Sequence, residues 1–440
     1  MGAPATLAPS DAPLTLAEPG GRQLGLRDAL GLWGNLGISL LLPVAAIYVV
    51  LPGRPLGATL LAIVVGAVIG SVLLGLGAAA GAREGVPAMV LMRGLLGRHG
   101  SYLPTALNIL QCVGWAAFEV VIIASAASQV LHTAKWPFIL AAGGVATLMA
   151  LRPLGSVRVL ARYAVWVALA GVAYLFVRVL SQPLPDFPDG GTNTFWTAVD
   201  VVIALPVSWF PLAADYTRHV RSGRSAFAGA SVGYGLATIA FFSLGALALA
   251  AYGAGGLDVI GALLAVPLGA VAVLVLVFVE VDEAFANVYS TAVSAQNVSP
   301  RLDRRVLAVV VGVIATLLAF TVDIVGYEAF LLLIGAVFVP LVGAFVITYF
   351  VVPRSGWDTS ATAPARPWLL LPWVAGFAAY QLTTPTYFEG EGWTTWWLAR
   401  QADLHLTWLS GKSASLVSLA VAAVLTLVVL APGLLRRSRS

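Results

Sequence analysis

The sequence predicts an all-α polytopic membrane protein of about twelve spans, and three observations carry that prediction. Of the 440 residues, 60% are hydrophobic and only 10% charged, whereas soluble domains are roughly half apolar and a quarter charged. Apolar stretches of roughly 20 residues, enough to cross a hydrocarbon core about 30 Å thick, recur along the whole chain. These stretches are continuous and do not alternate with period two, so they read as helices and not as barrel strands.

Taken in order, residues 1–27 hold no sustained apolar run and are expected to form a short polar cytoplasmic tail, not a cleavable signal. Twelve spans are expected near 28–51, 57–81, 102–131, 137–152, 157–180, 195–216, 226–252, 267–298, 305–322, 328–352, 367–385 and 413–435, here called spans one to twelve. With the N-terminus inside, 19 of the 24 Lys and Arg residues fall on the cytoplasmic side, and Arg54, Lys135, Arg178, Arg400 and Lys412 fall outside. The positive-inside rule then places both termini in the cytoplasm and the chain in the inner (plasma) membrane. The net charge of +4 reflects this sorting and is no sign of a nucleic-acid partner. The single cysteine, Cys112, excludes an internal disulfide and a Cys-rich metal site. Between spans eleven and twelve, residues 386–412 carry a Trp-rich run at 393–397 that suits the bilayer interface.

Two spans contain interruptions. Span one reads GLWGNLGIS at 31–39, with three glycines and Asn35 in nine residues. Span six reads ALPVSWFPL at 204–212, with Pro206 and Pro211 inside one apolar run. Proline removes an amide donor and crowds the preceding turn, so this stretch should kink or unwind. Interrupted spans at matching positions in two halves point to a transporter's central site. Spans one to five (about 28–180) and six to ten (about 195–352) are therefore expected to form two inverted five-helix repeats. Residues 353–440 would add two further helices and a cytoplasmic C-terminus.

Ionisable residues at membrane depth suggest function. In span three, Gln111, Trp115 and Glu119 are spaced by four and share a helix face. In span eight, Glu280, Glu283, Asn287, Ser290, Thr291 and Ser294 fall within roughly 100° of one another, and Asp282 does not share that face. Such a stripe lines a cavity or packs inside the bundle. Asn, Ser and Thr oxygens beside unwound carbonyls suit a hard cation such as Na⁺. Asp215 and Arg218, at the cytoplasmic end of span six, are expected to form a structural or gating ion pair. The segment GASVG at 229–233 fits the hydrolase nucleophile pattern, but that pattern needs a strand–turn–helix context and here opens an apolar helix. No recognisable catalytic set is present, so an enzyme is not expected.

Four segments, PLAADYTR at 211–218, GWAAFE at 114–119, FANVYSTAVSAQ at 285–296 and FLLLIGAVFVP at 330–340, resemble the nucleobase–cation symporter family of purine–cytosine permeases. Within it, they look most like the cytosine and hydroxymethylpyrimidine permease branch. The resemblance implies a LeuT-type fold and alternating access, in agreement with the broken spans. It implies that Trp115 stacks on a heterocycle and Glu119 hydrogen-bonds it. It further implies a cation site built from span-one carbonyls, near Asn35, together with Asn287, Ser290 and Thr291. Two departures from the family pattern stand out. The second stacking aromatic aligns with Pro206, leaving Trp209 displaced by three residues, and the span-three partner, often an amide, is Glu119.

The sequence thus predicts a cation-coupled importer of a small planar N-heterocycle, with Gln111, Trp115, Glu119, Ser208, Trp209 and Glu283 around the substrate. Glu280, farther out, is expected to bear little on selectivity. Na⁺ is the expected coupling ion, and a proton carried by Glu119 or Glu283 is the alternative. No cofactor is expected. A LeuT-type symporter for another small solute, such as an amino acid, is the second reading.

Overall fold

A computed structural model describes residues 14–16, 21–153, 165–190, 193–253, 258–322, 326–352, 356–386 and 392–437. Most of the expected N-terminal tail, the first part of span five and residues 387–391 of the interfacial stretch lie outside the described residues. Helices occupy all twelve predicted spans. Among the described residues, six are long and apolar enough to cross a membrane: Leu56–Glu84, Tyr102–Leu131, Phe195–Thr217, Gly223–Tyr252, Tyr327–Val351 and Ala414–Ala431. Span eight, Gly269–Val298, is as long as any of these but carries Glu280, Asp282 and Glu283 in its middle. The stretch expected at the interface contains a helix of its own, Gly392–Asp403. Two short turns, Ala88–Leu91 and Arg93–Leu96, and the helix Val259–Ala265 join spans where the sequence pattern suggests only loops.

Both expected interruptions are present, and they differ in kind. Span one is two helices, Leu26–Asn35 and Leu41–Ala45, separated by non-helical backbone at 36–40. In span six the gap between Phe195–Ser208 and Phe210–Thr217 is Trp209 alone. Pro206 is accommodated inside the first helix, and Pro211 sits in the first turn of the second, where its missing N–H costs nothing.

The packing of the spans follows one pattern. Spans three and eight lie along each other, as do four and nine, while span one packs on seven and span six on two. Such pairing is what a two-fold relation between spans one to five and six to ten produces. The contact of spans four and nine is reciprocal in detail. Thr316 fills the space beside Gly143, and Thr147 fills the space beside Gly312. Each threonine hydroxyl also donates to the carbonyl of the glycine four residues earlier in its own helix, Thr147 to Gly143 at 2.7 Å and Thr316 to Gly312 at 2.6 Å. The GASVG segment forms a widened helical turn in span seven, Gly229–Tyr234. A Cβ on Gly233 would come within 2.9 Å of the Leu30 carbonyl, so this small residue lets spans one and seven approach closely.

Spans two and six meet just as closely. A Cβ on Gly70 would sit 2.9 Å from the Ile203 carbonyl oxygen and 3.0 Å from Pro206 Cγ. Gly70→Val should therefore destabilise the protein by roughly 1–3 kcal/mol, as overpacking does, and so lower the thermal unfolding midpoint of the detergent-purified protein. An unchanged midpoint would show that this contact yields without cost.

Candidate substrate and cation site

The break in span one exposes amides that a continuous helix would have bonded, and in a dry interior they must find acceptors. Glu280 supplies them. Its carboxylate accepts from Ser39 Oγ at 2.9 Å, from the Leu41 amide at 3.3 Å and from the Leu40 amide. On the other side of the break, Asn35 Nδ2 donates to Asp282. Glu280 and Asp282 are both fully buried. The structure departs from the sequence reading at Glu280. Asp282 lies off the polar stripe, as expected, yet it points at span one. Glu280 is not peripheral, because the freed backbone draws its carboxylate into the centre.

Next to this break lies a small cavity of about 10 Å³, lined by Leu41 and Leu42 of span one, Trp115 and Glu119 of span three, Leu205, Ser208, Trp209 and Leu212 of span six, and Glu283 and Asn287 of span eight. That volume suffices for about one water molecule. No Lys, Arg or His is among the lining residues. Carboxylate oxygens of Glu119, Glu280 and Glu283 lie within 4.8 Å of one another. Glu119 Oε2, Glu283 Oε1 and Trp115 Nε1 are buried and have no hydrogen-bond partner among the described residues. The Trp115 indole stands edge-on to Tyr327 and Phe330 of span ten, with ring centroids 5.7 and 5.2 Å away. Trp209 is held by Trp33 at 6.1 Å and Tyr234 at 6.0 Å.

Of the residues expected around a substrate, Trp115, Glu119, Ser208, Trp209 and Glu283 meet at the cavity, and Gln111 does not. The reason lies in the break of span six. The Leu212 amide bonds to the Trp209 carbonyl, which leaves the Ser208 carbonyl without its helical partner. Gln111 Nε2 donates to that carbonyl at 2.9 Å and to Asn108 Oδ1 at 2.8 Å. The residues expected around a cation are spread out. Asn287 lines the cavity, Ser290 Oγ reaches Tyr216 Oη at 3.4 Å, Thr291 Oγ1 donates to the Asn287 carbonyl at 2.8 Å, and Asn35 turns to Asp282.

The expected ion pair of Asp215 and Arg218 is not formed. Asp215 Oδ1 accepts from the Ala88 amide at 2.9 Å, because the short turn that begins there has an unpaired N–H. Arg218 donates to His219 Nε2 at 3.2 Å and to Tyr289 Oη at 3.3 Å. Burial, with the Arg218 guanidinium beside it, pushes the His219 imidazole down to about 4. The ring is then neutral, accepting from Arg218 at Nε2 and donating from Nδ1 to the Gly21 carbonyl at 3.0 Å.

Sequence reasoning passed over two further residues. Ser39 donates to Glu280. Asp200, inside span six, accepts from the Ser413 hydroxyl and from the amides of Ala414 and Ser415 at 2.7 and 3.1 Å, closing the start of span twelve. The signal for Asp200 was available, since it is a carboxylate within an apolar span.

The family described as permease for cytosine/purines, uracil, thiamine and allantoin matches residues 21–363, more than three quarters of the chain. The chain belongs to this permease family. Cytosine permeases from Escherichia coli strains are 27% identical to it over 318 residues, a stretch covering 67% of this permease and 71% of each relative. Among solved structures, a nucleobase-cation-symport-1 family transporter, in a closed conformation with bromovinylhydantoin bound, is 19% identical with a TM-score of 0.72, covering 96% of the permease and 95% of that chain. A Na⁺-coupled sialic acid symporter, at 11% identity and a TM-score of 0.64, covers 94% and 90%. A manganese transporter of Eremococcus coleocola, at 13% identity and a TM-score of 0.56, covers 96% and 100%. At these identities the likeness speaks to the fold, which is the LeuT type. The permease is a multi-pass membrane protein.

Proposed function

We propose that the permease imports a nucleobase-like N-heterocycle, an aminopyrimidine such as cytosine or a hydroxymethylpyrimidine, by cation symport. One observation carries the reading: Glu119 Oε2 and Glu283 Oε1 are buried without a donor in a cavity flanked by Trp115 and Trp209. Where ionised, these carboxylates only accept hydrogen bonds and take N–H groups from a ligand, and indole faces favour a flat ring. An aminopyrimidine offers both. The similarity to cytosine permeases supports the same class of substrate. A cavity of about 10 Å³ does not hold such a ring, so spans one and six would part from three and eight to admit it.

The transport core would be residues 28–352, in two repeats, with 353–440 as additions and both termini in the cytoplasm. Na⁺ would be held by oxygens of Asn287, Ser290 and Thr291 and by span-one carbonyls. A proton is the second reading, favoured by the three carboxylates within 4.8 Å of one another, a natural place to hold one.

Glu119→Gln tests the substrate. The amide adds donors and removes an acceptor, so aminopyrimidines should bind about tenfold more weakly while uracil loses less. Equal weakening of every ligand would make Glu119 a structural or proton-carrying group. Coupling is tested by uptake in Na⁺ and in choline. Thr291→Ala should raise the Na⁺ concentration for half-maximal uptake, and Na⁺-linked substrate affinity should weaken with it. Wild-type uptake that persists in choline and collapses with a protonophore would replace Na⁺ by H⁺. For orientation, single cysteines at Ser222 and at Gly411 in a Cys112→Ala background should label differently in intact cells, with an impermeant thiol reagent reaching only the second. Labelling at both positions would refute the assigned topology.

A further inference from the structure

The carboxylates of span eight grip span one on both sides of its break. Before the break, Asn35 Nδ2 donates to Asp282; at its far end, Ser39 Oγ and the amides of Leu40 and Leu41 donate to Glu280. Nothing in the helix geometry of span eight requires this. Residues 280 and 282 lie about 160° apart around the axis, on different faces, yet Asp282 reaches the residue just before the five-residue gap in span one and Glu280 reaches the end of that gap.

We propose that Glu280 and Asp282 are positioning residues that form a two-point clamp, holding span one against span eight in the closed state and releasing it at Glu280 during transport. The clamp on the Glu280 side has somewhere to go. The Leu41 amide already has a second acceptor in Ser39 Oγ at 3.1 Å. Glu119 and Glu283, with oxygens within 4.8 Å of Glu280, each present one acceptor without a donor. Donors leaving Glu280 can therefore pass to neighbouring oxygens without being stranded in a dry interior, which makes the release reversible. The Asp282 side holds span one by a single donor, the Asn35 amide at the end of the first helix, so it serves as the fixed point. The inference rests on alternating access but not on the identity of the substrate.

The test needs no transported ligand. In a Cys112→Ala background, Leu42→Cys places a thiol at the cavity wall, where the closed state shields it from a small thiol reagent. Glu280→Gln removes one acceptor and turns an N–H₂ group towards the span-one donors. Labelling of the reporter should then quicken about fivefold or more, as expected when a closed state loses one net hydrogen bond. Unchanged labelling would overturn the clamp. Should Glu280→Gln fail to fold, the other grip gives an independent answer. Asn35→Asp alone sets two carboxylates face to face and should also quicken labelling. Adding Asp282→Asn restores a donor facing an acceptor and should return labelling to about twice the parent rate or less, since the pair's interaction is what each single change removes. A double variant as open as Asn35→Asp alone would refute the two-point clamp.

Discussion

Everything distinctive in this structure follows from one constraint, that a backbone amide or carbonyl inside the bilayer must be bonded by the protein itself. A continuous helix meets it automatically. This chain breaks two helices at membrane depth and then repairs each break with a side chain from another span. Glu280 takes up the amides freed in span one, and Gln111 takes up the carbonyl freed in span six. Asp200 closes the start of span twelve and Asp215 the start of the turn at Ala88 in the same way. Three of the six buried carboxylates among the described residues, Asp200, Asp215 and Glu280, are thus engaged by backbone amides, and the one salt bridge among those residues, Arg400 with Asp403, is exposed.

That division of labour defines the cavity. Three glutamates converge there, but Glu280 is already engaged by Ser39, Leu40 and Leu41, while Glu119 and Glu283 each keep an oxygen free. The aromatic rings are fixed from behind, Trp115 by span ten and Trp209 by spans one and seven. A carboxylate engaged by span one and one with a free oxygen, Glu280 and Glu283, therefore sit about one turn apart on the same helix.

Much of this was legible in the sequence, and the part that was not has a common cause. Span lengths follow from apolar runs, and both breaks follow from local chemistry, glycines around Asn35 and prolines flanking Trp209. The spacing of Trp115 and Glu119 by one helical turn put both on the cavity without knowledge of the fold. Partners across the fold are another matter. Asp282 falls off the polar stripe, and periodicity, which describes the faces of its own helix, says nothing of Asn35, 247 positions away. Gln111 shares a face with Trp115 and Glu119, yet a carbonyl freed by a break in another span claims it. Asp215 and Arg218 are neighbours in sequence, but an unpaired amide at Ala88 offered the carboxylate a better partner.

The reciprocal glycine–threonine contact between spans four and nine carries an implication about origin. The segments GGVAT at 143–147 and GVIAT at 312–316 place glycine and threonine at the same separation, so each helix presents a notch and a peg to the other. An interface in which each side offers the same features to its counterpart is the kind that two copies of one molecule make about a dyad. Here both copies lie in a single polypeptide. The seam is the form a gene duplication would take if an ancestral half-length protein had inserted in both orientations and paired with itself before the two copies were joined.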